Sequence, residues 1–90
     1  MKVQNMTSNN GNKVANQFIV FDSDFTLFQS YDSIIVKTTF EDGVRKVYLD
    51  STYWDYSKTT SKYRNQFLNE TKAETEKKIA SGEYELTDLN

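Results

Sequence analysis

The stretch SIIVKTTFEDGVRKVYLD, residues 33–50, decides the fold. Ser33 to Phe40 is rich in β-branched and aromatic residues, which suit a pleated, half-buried strand. Glu41-Asp42-Gly43 then supplies an Asp-Gly pair, the side chains that most readily take the backbone of a tight hairpin turn. A second strand follows from Val44 to Asp50. Its Val44, Lys46, Tyr48 and Asp50 fall on one face and Arg45, Val47 and Leu49 on the other. That alternation is imperfect and predicts a strand near the edge of the sheet.

Toward the amino terminus, QFIVFD (17–22) and FTLFQS (25–30) predict two more strands, joined by a turn around Ser23 and Asp24. Between Ile19 and Leu27 these strands are apolar on both faces. Either the helices lie across both faces, or a second copy of the chain covers one of them. Met1 to Asn16 holds five asparagines and a glycine without periodicity, and predicts a flexible arm that carries no fold.

Beyond Leu49 the pattern changes to a period near 3.6. Tyr56, Thr60, Tyr63 and Phe67 form a narrow stripe on a helix predicted over Ser57 to Leu68, with Asn69 ending it. Thr71-Lys72-Ala73-Glu74 matches a capping box, and Gly82 offers a left-handed stop, which brackets a second helix. Within it, Glu74 and Lys78 are spaced for an i, i+4 ion pair. Glu83 to Leu89 suits a short returning strand. The expected fold is α+β, an antiparallel sheet of about four strands plus a short C-terminal strand, packed against two helices. Residues 1–16 are the arm, and residues 17–90 a single α+β domain.

At 90 residues with 37% apolar and 14% aromatic side chains, the chain can build one small core. It contains no histidine and no cysteine, which removes thiol chemistry, disulfides, His/Cys zinc sites and a histidine base. No cofactor and no metal are expected. No apolar run approaches the length of a membrane span, and residues 1–16 lack the apolar centre of a signal peptide, so a cytoplasmic setting without membrane partners is expected. The net charge of -2 is unevenly spread. Residues 17–56 hold seven acids against three bases, whereas Ser57 to Asn69 holds Lys58, Lys62 and Arg64 and no acid. Such a balance is too acidic for a dedicated nucleic-acid binder.

The segment FIVFDSDFTLFQS (18–30) resembles the first motif of haloacid-dehalogenase-type phosphatases, a hydrophobic strand followed by Asp-x-Asp-x-Thr-Leu. The resemblance implies Asp22 as nucleophile and Asp24 as general acid/base, with Thr26 following. Two carboxylates at a strand end can share phosphorus and a magnesium ion. The position where that family usually has glycine is Phe25, and the next apolar run begins too soon for the crossover helix of a doubly wound sheet. The residues therefore read as a turn with Asx-type bonding, and the chain as not an enzyme.

In YWDYSKTTSKYRNQF (53–67) aromatics and bases interleave in sequence. On a helix Lys58 and Lys62 lie opposite the Tyr56, Tyr63 and Phe67 stripe. A base stacked on those rings therefore could not also have its phosphate held by the lysines. Tyr53, Trp54, Lys58, Lys62 and Arg64 are the candidate protein-binding residues, because their types recur in interface hot spots and in solvated binding faces.

The strings FQSYDSIIVK, YLDSTYWDYSKTTSKYRNQFLNET and KIASGEYELTDLN resemble a family of small uncharacterised proteins of phages and prophages of Gram-positive bacteria. The likeness covers about two thirds of the chain, most specifically YWDYSKTTSKYRNQFL, and nothing in the first sixteen residues. It implies a setting: short phage-encoded proteins without catalytic groups often bind and block a host protein, including CRISPR complexes. The expected function is thus an anti-CRISPR-like inhibitor that occludes a surface of a host defence complex. The alternative is a nucleic-acid-binding regulator using the basic segment 57–69.

Overall fold

A computed structural model describes residues 1–90. Six strands and two helices follow in the order β1 (Lys2–Thr7), β2 (Lys13–Phe21), β3 (Phe25–Ser30), β4 (Ser33–Glu41), β5 (Val44–Asp50), α1 (Lys58–Leu68), α2 (Lys72–Ser81) and β6 (Tyr84–Thr87). The strands form one sheet in sequence order. Neighbours are antiparallel from β1 to β5, and β6 is parallel to β5. The α+β class expected from the sequence is found, with a mixed sheet of six strands in place of about four antiparallel ones.

The hairpin at 33–50 forms as read. Asp42 and Gly43 both have positive φ, at 55° and 79°, the backbone that a two-residue turn between twisted strands demands. Val47 and Leu49 are buried and face the helices, again as the alternation requires. The expected place of this strand near the edge of the sheet is found, with only β6 lying outside it.

That pairing is parallel. β5 ends where α1 begins, and the pair α1–α2 carries the chain back across the sheet before β6, so β6 runs in the same sense as β5. The flexible arm over residues 1–16 is corrected too. Lys2–Thr7 pairs with β2, and β2 starts at Lys13. Asn9, Asn10 and Asn12 lie in the connecting turn: Gly11 has φ 80°, and its N–H donates to the Ser8 carbonyl at 2.9 Å. Met6, at the end of β1, is buried in the main core, which ties the strand down.

A β-bulge in β4 shapes that core. Phe28 pairs with Val36 and Gln29 with Ile34, which leaves Ile35 as the extra residue. Ile35 and Val36 are consecutive and both fully buried, which a regular strand with one covered face does not allow. They join Phe28, Val47, Leu49, Tyr63, Leu68 and Tyr84 beneath the helices, and the Phe67 ring stacks on Phe28 at 5.8 Å.

Local signals set both helices. The Ser57 side chain accepts from the Thr60 N–H, and Asn69 closes α1 at φ 56°. Thr71 and Glu74 form the capping box of α2, and Gly82 closes it at φ 85°. The Glu74 carboxylate accepts from the Thr71 N–H and hydroxyl, and Lys78 pairs instead with Glu70 at 2.8 Å, correcting the i, i+4 expectation. Glu70 also accepts from the Tyr84 hydroxyl at 2.7 Å and from Thr75, so one carboxylate joins the α1–α2 linker to α2 and β6.

Candidate functional site

Asp22, Ser23 and Asp24 form the turn between β2 and β3, closed by the Asp22 N–H donating to the Phe25 carbonyl at 2.9 Å. β3 returns antiparallel beside β2, with no crossover helix between them. The local geometry is that of a hairpin turn and not of a phosphate cradle at the end of a parallel strand.

The interleaved segment divides into three environments. Tyr53 and Trp54 lie half-buried against the core, in the turn between β5 and α1. Buried Asp50 fixes that turn, its Oδ2 accepting from the backbone N–H of Thr52 at 3.1 Å and of Tyr53 at 2.8 Å. Arg64 is 0% exposed and acts inside the protein, a correction to its place among binding residues. Its Nη1 donates to the Trp54 carbonyl at 2.7 Å and to Asp55 at 3.2 Å, and Nη2 donates to Asn65 at 3.0 Å. The expected stripe also shifts. Tyr56 precedes the Ser57 cap and is 65% exposed, and Thr60, Tyr63, Arg64 and Leu68 are the residues α1 buries.

Lys58 and Lys62 are exposed, as their angular position requires, and form no ion pair. With Lys72 they line a polar cleft of about 620 Å³ that also includes Asp55, Ser57, Ser61 and Asn65. Lys72 is held by Asp55 at 2.7 Å. Burial raises the Asp55 pKa, but hydrogen bonds from Lys72, Ser61 and Arg64 and the Lys72 charge outweigh it and hold the carboxyl down at about 2.

A second cleft, of about 610 Å³, opens where the β3–β4 turn meets the β5–α1 turn. Tyr31, Tyr53 and Tyr56 line it together with Asp32, its one charged side chain, and the hydroxyl residues Ser33, Ser57 and Thr59. Tyr53 meets Tyr56 edge-on at 5.6 Å. Tyr31 is 47% exposed with φ 55°, the left-handed region that bulky L-residues avoid. It occupies the first position of a two-residue loop, where glycine is the unstrained choice. Its N–H donates to the Asn16 carbonyl at 2.7 Å, and its carbonyl accepts from Gln29 at 2.8 Å. A large ring is thus held in solvent at a backbone cost. Reading the sequence missed Tyr31; the available signal was a tyrosine in a two-residue turn.

A model of a family of unknown function, DUF8033, matches residues 1–83. The chain belongs to DUF8033. None of the curated proteins and none of the solved structures matches it. The DUF8033 match begins at β1, so the residues read as an arm fall inside the family unit, and it ends one residue before β6. Both clefts lie within the matched residues. No helix of this DUF8033 member is long and apolar enough to cross a membrane.

Proposed function

We propose that this DUF8033 member is a non-enzymatic binding protein whose contact surface is the tyrosine cleft. The observation that carries the reading is Tyr31, an exposed aromatic ring kept in left-handed backbone beside Tyr53 and Tyr56. Backbone strain at an exposed position serves nothing in the core, and exposed tyrosines give large contact area at low entropic cost. Tyr53 keeps its place among the binding residues, and Tyr31 and Tyr56 join it. In the setting implied by the likeness to phage and prophage proteins, the partner is a host defence complex in the cytoplasm and the effect is occlusion of one of its surfaces.

The test is capture of a defined bacterial defence complex by the wild-type protein, by Tyr56→Ala and by a Lys58→Glu, Lys62→Glu pair, each with nuclease treatment. Nuclease-resistant binding that Tyr56→Ala abolishes and the lysine variant keeps supports the reading, as does protection of phage in a strain carrying that defence. Failure of every complex to bind, together with no protection, refutes it.

A second reading, contact with nucleic acid, draws on the three lysines around the polar cleft. It requires binding that weakens steeply with salt and is lost when Lys58 and Lys62 are reversed in charge.

A further inference from the structure

Both helices lie on the face of the sheet that carries Phe28, Val36, Val47 and Leu49. The opposite face has no helix. Cross-strand registers place Val3, Val20, Leu27, Lys37, Tyr48 and Glu85 in one row across it, from β1 to β6. Phe18, Phe25 and Ile34 stand beside that row. The face is therefore mainly apolar from β1 to β3 and at Ile34 at the start of β4, and charged over the rest of β4 to β6. An antiparallel sheet with one face in water normally alternates apolar with polar residues, and QFIVF and FTLF do not.

We infer that this open face is a homodimer interface, in which two copies pack sheet against sheet about a two-fold axis. Three observations favour a second copy. The face is self-complementary in shape: Val3, 60% exposed, projects at the β1 margin, and a recess of about 310 Å³ opens over the central strands β3 and β4, lined by Phe25, Leu27, Ile34, Lys37, Asp88 and Leu89. A two-fold axis brings each projection to the other copy's recess. The charges on the face are of both signs, Lys37 and Lys46 with Glu41 and Glu85, so a copy meets no single-sign field. The molecule measures 34 × 29 × 23 Å, and its broad face has room for the roughly 800 Å² per partner of a standard interface. Two apolar sheet faces stack about 10 Å apart with interdigitated side chains.

Sedimentation equilibrium of the full chain from about 1 to about 200 μM tests the inference. The expected result is a concentration-dependent rise to twice the 10.5 kDa chain mass. Val3→Glu with Phe25→Glu is expected to stay at the single-chain mass with an unchanged circular dichroism spectrum. Should that variant fail to fold, Lys37→Glu with Lys46→Glu reverses the charge at two positions of the face, on β4 and β5. It is expected to weaken the dimer at least about tenfold at low salt, with recovery at high salt. A wild-type protein that keeps the single-chain mass throughout overturns the inference. So does a dimer that neither folded variant weakens, because its interface then lies elsewhere.

Discussion

Arg64 holds Trp54 in two ways: its Nη1 donates to the Trp54 carbonyl at 2.7 Å, and its guanidinium carbon lies 5.1 Å from the centre of the indole ring. The α1 residue thereby fixes the turn that follows β5, and a cation that resembles a binding residue in sequence closes the fold. Arg64→Lys retains charge but loses the fork that reaches Trp54, Asp55 and Asn65 together. Arg64→Lys is expected to cost about 2 kcal/mol and Arg64→Ala about 3 kcal/mol or more, since buried acceptors lose their donor. Urea unfolding measures both, and a loss below about 0.5 kcal/mol for Arg64→Ala would contradict the assignment.

Asp55 gives the fold a dependence on acid. Its pKa lies at about 2 in the folded protein against an ordinary 3.8, because Lys72, Ser61 and Arg64 outweigh the effect of burial. A depressed carboxylate pKa adds stability above the unfolded value, and that stability is lost as pH falls through the folded one. The contribution is expected to be full above 3.8 and to disappear toward about 2. Asp50 and Glu70 are shifted in the same direction: burial raises each, and hydrogen bonds, from Leu89, Tyr53, Asn90 and Thr52 to the first and from Lys78, Thr75 and Tyr84 to the second, lower it further. Thermal melts as a function of pH are expected to show Asp55→Asn less stable than wild type at neutral pH, with the gap closing in this acid range. A gap independent of pH would contradict the linkage.

Tyr31→Gly separates binding from folding. Glycine takes the left-handed backbone at φ 55° without strain, a gain of about 1 kcal/mol that its greater unfolded-state entropy offsets by about 0.5–1 kcal/mol. Stability is expected to stay within about 1 kcal/mol of wild type while partner capture falls. A large loss of stability would mean that the ring serves the fold, and undiminished capture would remove Tyr31 from the contact surface.

Gln17 is fully buried on β2, and neither polar atom of its side-chain amide has a hydrogen-bond partner within the protein. Replacing such a group with an apolar side chain of similar length removes the desolvation cost. Gln17→Met is expected to raise stability by about 1–2 kcal/mol, read from the urea midpoint. A fall in stability would show that the amide is satisfied in solution.

Gly43→Ala isolates the cost of one dihedral. An added Cβ meets nothing within 4 Å, yet φ is 79°. The loss is expected to be about 1 kcal/mol and purely conformational, so Gly43→Asn, which tolerates this backbone, should retain more stability than Gly43→Ala.

The sequence by itself determined the features whose causes are local. The Asp42-Gly43 turn, the Ser57 and Thr71 caps, the Asn69 and Gly82 stops and the inward Val47 and Leu49 each follow from a few adjacent residues, and each was legible. Only the tertiary structure decided the remainder. Lys2–Thr7 becomes a strand because β2 offers it an edge and the core takes Met6, neither of which its asparagine-rich composition reveals. β6 is parallel because the helix pair returns the chain to the middle of β5, where Tyr84 pairs with Val47. Arg64 is internal because the turn after β5 places the Trp54 carbonyl and Asp55 against α1, and Tyr31 lines one cleft with Tyr53 and Tyr56 across more than twenty residues of sequence. Hydrogen-bonded turns and caps are short-range and residue-specific. Burial and the convergence of side chains depend on which surfaces the folded chain brings together, and no local pattern of residues encodes that.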